Sequence, residues 1–474
     1  MKRLLLISIA LFGFSYLYGN DDVVEVERKA PNILFLFADD QRSSTLNNPE
    51  IIKPHLEQLL KKGVFFSNAH IMGADNGAVC APSRAMLITS KRLSSLKPGG
   101  FEISSDHVLL GETLQNAGYD TYGIGKWHNT RSEFNRNFNG GEAIFMGGMH
   151  DHWNVPLFHY KDDAVYKNSR PHIEDFFNTN KIDSLPGDYT YSGKHSTEIF
   201  ADAAIDYLNQ KHEKPFFLYV SFMSPHDPRT TPKEILDKYD ASKLSLPPNF
   251  KEKHPFDNGE LIIRDEQLAA TPRVPEEVKE HIKDYYSMIT HLDENIGRIL
   301  ETLEKNGLSK NTIIVFAADN GLAMGQHGLM GKQNLYQHSV NVPLIISGKG
   351  IPKGEIRSSF CYLTDLFPTL CELTETTVPQ NLDGKSLVPA IKDDTKIRNA
   401  LYFQYKDVQS AIRKDNYKLI KYDVKGQQTI QLFDLEKDPW ELNNLAESLP
   451  EVVSSLLKEF EKWDADYGLS SRKN

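Results

Sequence analysis

Apolar positions along this chain follow two different periods. Residues 32–38 (Asn-Ile-Leu-Phe-Leu-Phe-Ala) form an almost unbroken apolar run that stops at Asp39-Asp40. Residues 312–318 repeat the pattern and stop at Asp319-Asn320, and a third run at 216–222 leads into Ser224-Pro225-His226-Asp227-Pro228. Runs without alternation suit strands covered on both faces, as in a parallel sheet. Between them, helical spacing predicts helices at 54–62, 109–117 and 196–211, and a long amphipathic one at 275–304 that breaks near Asp293. Strand and helix in alternation predict an α/β fold, a large mixed, mostly parallel sheet sandwiched by helices. After Cys371 the segments shorten and alternate: 400–404, 417–420 and 431–434 read as hairpin strands and 450–467 as a helix. The expected organisation is a domain over 28–385 and a smaller C-terminal one over 386–474, with an antiparallel sheet and a helix. Residues 129–191 and 227–275 read as long loops whose aromatic and histidine content suggests ordered walls of a site.

Composition narrows the partners. The 54 Lys and Arg against 64 Asp and Glu leave a net charge of −10. That balance offers no long-range attraction for nucleic acid or anionic lipid, so any anion pocket must be built locally. Met1-Lys2-Arg3 followed by an apolar run to Tyr18 has the layout of a secretory signal over residues 1–19, too short to span a bilayer. An exported, periplasmic protein with no membrane span after signal cleavage is the expectation. Of the three cysteines, Cys361 and Cys371 flank residues 362–367, which read as helix, so their side chains point apart and two buried free thiols are expected.

Candidate chemistry begins with the two acidic pairs. Strand ends carrying Asp39, Asp40, Asp319 and Asn320 bring hard oxygen donors to the crevice where open α/β sheets bind ligands, which suits Ca²⁺ or Mg²⁺ better than Zn²⁺. Cys80-Ala81-Pro82-Ser83-Arg84, followed by Ile88-Thr89-Ser90-Lys91, is an unusual setting for a structural thiol. Basic groups recur in Gly125-Lys126-Trp127-His128, in the loop holding His226 and in Gly328-Leu329-Met330-Gly331-Lys332. Singly, each reads as a solvated surface group; with Arg84 they would surround one tetrahedral anion. Residues 147–154 form a polar and aromatic cluster in which Trp153 would stack on a sugar face and His150 or His152 bond ring hydroxyls. His195 and Arg229 are further candidates for substrate binding, and loop bracing is the equal alternative for these histidines.

The Cys80 segment resembles the Cys-x-Pro-Ser-Arg signature of the formylglycine-dependent (type I) sulfatases of the alkaline phosphatase superfamily. The resemblance runs from Asn32 to about Leu445 and includes the Gly-Lys-x-His segment and Asp434-Leu435-Glu436-Lys437-Asp438-Pro439. It implies a sulfate ester hydrolase in which a maturation enzyme, reading Pro82 and Arg84, converts Cys80 to 3-oxoalanine (formylglycine). A thiol adduct of sulfate has no easy exit, whereas a hydrated aldehyde can expel it. It further implies one Ca²⁺ held by Asp39, Asp40, Asp319, Asn320 and position 80. Arg84 and Lys126 would steady the nucleophile and sulfate oxygens, His128 assist collapse of the sulfated intermediate, and Lys332 and His226 grip the ester, with His226 as the acid. Similarity to polysaccharide sulfatases of marine bacteria implies sulfated algal oligosaccharides of the ulvan or carrageenan type. Choline or aryl sulfates, a phosphodiesterase or phosphonate hydrolase activity, and a non-catalytic glycan-binding protein are the alternatives. Ser90 departs from the family's usual glycine, and Gln337 and Asn341 stand where Glu and Arg are common.

Overall fold

Every residue of the strand Asn32–Ala38 is buried, with Ile33, Phe35 and Phe37 packed into one apolar cluster and Leu34, Leu36 and Ala38 into another. A strand covered on both faces needs an uninterrupted apolar run. The computed structural model describes residues 30–173 and 182–472, so the expected signal at 1–19 lies outside the described residues. The central strand belongs to an eight-stranded sheet ordered Glu355–Arg357, Gly63–Phe66, Leu344–Gly348, Thr312–Ala318, Asn32–Ala38, Phe216–Ser221, Asp120–Lys126, Gly140–Phe145. Leu344–Gly348 runs antiparallel to both its neighbours and the other pairings are parallel. The helices Ser196–Leu208 and Pro275–Lys305 cover the Leu34 face, and Cys80–Thr89 and Leu110–Asn116 cover the Phe35 face.

The long helix Pro275–Lys305 is continuous through Asp293, contrary to the expected break. The Asp293 carboxylate turns inward and accepts hydrogen bonds from the backbone N–H groups of His55 (3.1 Å) and Leu56 (2.7 Å). It thus satisfies the orphan donors that open the helix Pro54–Lys62. The stretch expected as a loop from 129 holds the helix Arg131–Asn137, the edge strand Gly140–Phe145 and a hairpin of Ser169–Ile173 with Ile182–Pro186. Nor is 362–367 one helix: Cys361–Tyr362 pairs with Ala69–His70, and the helix Leu366–Leu373 follows a 3₁₀ turn. Cys361 and Cys371 are both free and buried.

The C-terminal strands Ala400–Tyr405, Gln409–Lys414, Tyr417–Val424 and Gln427–Asp434 form an antiparallel sheet backed by the helix Pro450–Tyr467. A fifth strand, Gly73–Ala74, joins its edge in parallel with Ala400–Tyr405. Gly73 has φ +100°, and a Cβ there would lie 2.1 Å from the Gln404 carbonyl oxygen, so only glycine fits. The two sheets are therefore sewn together a few residues before Cys80.

Candidate active site

In the parallel register Ala38 lies opposite Ala318, so Asp39-Asp40 and Asp319-Asn320 leave the sheet side by side at its carboxyl edge. The Asp40 N–H donates to Asp319 Oδ1 at 3.1 Å, and Asn320 Nδ2 donates to Asp40 Oδ1 at 2.7 Å. Facing them is the helix Cys80–Thr89, all of it buried. Arg84 stands one turn past Cys80 on the same helix face. Its Nε and Nη2 each lie 2.9 Å from Asp319 Oδ2, and its Nη1 donates to the Lys126 carbonyl (3.1 Å) and Ser221 Oγ (2.5 Å). Ser83 Oγ donates to the Asp319 carbonyl at 2.6 Å, tying the helix to the strand end.

Cys80 Sγ lies 3.4 Å from Asp39 Oδ1 and 3.9 Å from Asp40 Oδ1. Lys332 Nζ is 2.7 Å from Asp40 Oδ1 and 3.1 Å from Cys80 Sγ, and Lys126 Nζ donates to Asp39 Oδ2. His226 places Nε2 3.7 Å from Asp40 Oδ2, with Nδ1 2.7 Å from the Asp227 carbonyl. Ligand atoms of Asp39, Asp40, Cys80 and His226 all fall within 4.8 Å of one another. The Asn320 Oδ1 is buried and has no hydrogen-bond partner among the described residues. The Asp39 and Asp40 carboxylates, with the unpartnered amide oxygen of Asn320, whose Nδ2 bonds Asp40, fit a hard divalent cation; Asp319, expected with them, falls outside that group, its Oδ1 accepting from the Asp40 N–H and its Oδ2 from Arg84. His128 lies against Phe101 edge to face at 5.6 Å, and its buried Nδ1 also lacks a partner among the described residues.

Three acidic side chains (Asp39, Asp40, Asp319) meet three basic ones (Arg84, Lys126, Lys332), so their formal charges balance and a bound divalent ion would leave the pocket positive for an anionic ester. Burial alone would raise the Asp39 pKa, but Lys126, His226, Arg84 and Lys332 hold it well below the carboxylate range. Asp319 is pushed up to about 6 by burial and by Asp39 beside it. Burial would lower Lys332, yet Asp40 and Cys80 hold it well above the lysine range. The Cys80 thiol is raised well above its ordinary value by burial and by Asp319 and Asp39. It is therefore protonated at neutral pH, and a protonated thiol is a poor nucleophile. Burial, then Lys126 and Arg84, keep His128 neutral.

The expected sugar contacts divide. His150 is half-buried, with Nδ1 3.3 Å from the Asp151 carbonyl, and half-buried Trp153 meets the His195 ring edge to face at 5.2 Å. His152 and His195, by contrast, are fully buried, with rings stacked at 4.8 Å. His152 engages Ser196 Oγ (2.7 Å) and the His226 carbonyl (3.0 Å), while His195 accepts from the Thr197 N–H (3.2 Å) and donates to the Thr230 carbonyl (3.0 Å). With both nitrogens of each ring engaged, this pair braces the His226 loop and presents no edge to a sugar. Arg229 is half-buried, its Nε without a partner among the described residues.

Several supporting residues escape sequence reasoning. Glu266 accepts from the backbone N–H groups of Met330 and Gly331, both at 2.9 Å, and pairs with Arg273, so it shapes the turn that aims Lys332. Gln333 donates to the Gly77 carbonyl (2.9 Å) and to Asp265 (2.7 Å), tying that turn to the start of the Cys80 segment. Ser221 is the last residue of the strand Phe216–Ser221, and its place at a strand end was the available signal.

Comparisons with known proteins give the family. A family model described as Sulfatase matches residues 31–376, and one described as N-sulphoglucosamine sulphohydrolase, C-terminal, matches 325–466. The N-acetylglucosamine-6-O-sulfatase of Bacteroides thetaiotaomicron is 26% identical over 497 residues, covering 88% of this chain and 83% of that protein. The ulvan-active sulfatase of Formosa agariphila is 27% identical, covering 94% and 84%. A solved structure described as in complex with its substrate, D-glucosamine-2-N,6-O-disulfate, aligns with a TM-score of 0.72 at 22% identity, covering 93% of this chain and 98% of that one. With the sulfatase model spanning most of its length over the acidic, cysteine and basic groups just described, the chain belongs to the sulfatase family.

Proposed function

We propose that this sulfuric ester hydrolase removes sulfate from sulfated polysaccharides of the ulvan or carrageenan type, using a 3-oxoalanine formed from Cys80 and one Ca²⁺. The observation that carries the chemistry is the position of Cys80 Sγ, in reach of Asp39, Asp40 and Lys332 at once. When bound, the cation supplies a Lewis acid, and the hydrated aldehyde supplies an oxygen nucleophile. Asp39, Asp40, Asp319 and Asn320 would hold the cation. Arg84 and Lys126 orient the sulfate oxygens, and Lys332 neutralises charge next to position 80. His226 gives Nδ1–H to the Asp227 carbonyl and keeps Nε2 toward the pocket, where its protonated form donates to the departing alkoxide. His128, kept neutral by burial and by the Lys126 and Arg84 cations, leaves Nδ1 without a partner among the described residues and available for a hydrogen bond.

The polysaccharide reading is supported by the relatives named for ulvan and for N-acetylglucosamine sulfate, and by the half-buried Trp153 and His150 of the 147–154 cluster. The basic and apolar start of the chain supports export to the periplasm, and the Pro82 and Arg84 spacing supports a formylglycine-generating partner. Co-expression with such an enzyme followed by mass spectrometry of the Cys80 peptide is expected to show an aldehyde in place of the thiol. Sulfate release should stop on treatment with a chelator and return with Ca²⁺ rather than Zn²⁺. Paired aryl sulfate and aryl phosphate esters test the ester class: faster phosphate release defeats the proposal.

A further inference from the structure

Trp440, in the turn after Asp438-Pro439, keeps 37% of its surface exposed. It stands where two cavities, about 430 and 380 Å³, meet, and Ser44, Asn47 and Gln326 line both with it, so the two make one groove. Three residues lining the larger cavity carry buried polar atoms with no partner among the described residues: Asn249 Oδ1, both ring nitrogens of His338 and Arg413 Nε. These side chains are only 3%, 8% and 8% exposed. Buried polar groups are nearly always satisfied, so three side chains with spare polar capacity gathered behind one cavity wall single that wall out.

Their orientations are fixed. Asn249 Nδ2 donates to the Trp440 carbonyl (2.8 Å) and faces His327 Nε2 (3.0 Å), which turns Oδ1 away from both. Arg413 sits over the Phe360 ring at 4.9 Å, with Nη1 3.2 Å from His70 Nε2. No carboxylate pairs with it among the described residues, because nearby Glu441 is spent on Lys418 (2.7 Å) and the Gln337 N–H (2.8 Å). Asn341, where the family commonly has Arg, folds back on the Ser67 and Ala69 carbonyls (3.2 and 2.9 Å) and leaves the space open.

A partly exposed indole flanked by amides and hydroxyls suits the apolar face and hydroxyl rim of a pyranose, and the guanidinium without a carboxylate partner suits a sulfate or carboxylate on it. We infer that the Trp440 groove is a second carbohydrate site, separate from the sulfate-cleaving centre, that holds a segment of anionic glycan. The groove reaches the end of Gly63–Phe66, three strands from Asn32–Ala38 on the same carboxyl edge of the sheet. At ~4.8 Å per strand that is roughly 14 Å, so one polysaccharide chain reaches both places. The inference rests on the polysaccharide reading for the identity of the chain held there.

The test runs the matured full-length protein through native gels containing ulvan, ι-carrageenan or heparin, with plain agarose as the uncharged control. Aryl sulfate hydrolysis is measured on the same samples. Trp440→Ala removes the platform, and Asn341→Arg fills the cavity. We expect retardation of the wild type in at least one sulfated gel, and an apparent Kd raised about fivefold or more by each variant. Aryl sulfate turnover should stay within about twofold, while kcat/KM on the polymer falls about threefold or more. Equal retardation of wild type and both variants, or none in any gel, overturns the groove. Retardation that depends on Trp440 in a protein that releases no sulfate upholds the groove and defeats the sulfatase chemistry instead.

Discussion

Lys332 touches both Asp40 and Cys80 from a fully buried position, so its charge acts undiluted by solvent. Lys332→Ala is expected to lower kcat for sulfate release by roughly 10²–10³-fold, the usual loss when one preorganised cationic donor is removed from a closed site. The thiol of unmatured protein gives a second outcome at this scale. Burial and the neighbouring carboxylates keep Cys80 protonated and 1% exposed. Iodoacetamide should therefore leave it unmodified in the native state at neutral pH and alkylate it only in denaturant, as peptide mass mapping would show.

Elements, rather than single groups, aim the basic residues. Glu266 holds the turn before Lys332 through two backbone N–H groups and a buried pair with Arg273. Glu266→Ala breaks that pair and is expected to cost about 3–5 kcal/mol of stability and to lower kcat more than KM changes. Glu266→Gln, which keeps an acceptor, should recover part of both in thermal unfolding and sulfate-release assays. This scale also explains what sequence could convey. The two acidic pairs were legible because each ends a run of apolar residues, and parallel pairing then forces them together. Asp293 misled because a lone acid in an apolar helix face looks like a break, and its purpose, capping the helix that starts at Pro54, lies across a tertiary contact. For His152 and His195 sequence left two readings equal: a histidine-rich loop announces polarity, but which ring nitrogens find partners is fixed only when Ser196 and Thr230 arrive. The strand Gly140–Phe145 was hidden because an edge strand with paired glycines carries little apolar pattern.

The whole molecule has a pH signature set by histidines buried as neutral rings. Burial lowers His152 and His254 to about 4 and His327 to about 3, against an ordinary value of 6.5. A depressed folded-state pKa gives stability that is complete above pH 6.5 and shrinks as pH falls toward 4, because the unfolded chain binds the protons first. Each unit of difference is about 1.4 kcal/mol, so the melting midpoint should fall steadily below pH 6.5. His327→Asn should flatten that slope in scanning calorimetry. The join between the sheets is a further determinant at this scale. Gly73→Ala, with a Cβ that meets the Gln404 carbonyl at 2.1 Å and φ +100°, is expected to lower stability by roughly 1–3 kcal/mol, read as a lower melting midpoint.

That join also imposes an order in time. Gly73 pairs with Gln404, more than 300 residues later in the chain, so the strand leading into the Cys80 helix has no partner until the first strand of the C-terminal sheet exists. At about 5–20 residues per second, a ribosome takes tens of seconds to supply that strand. An enzyme that acts on position 80 is expected to find it more readily during this interval than in the folded chain, where Cys80 is 1% exposed.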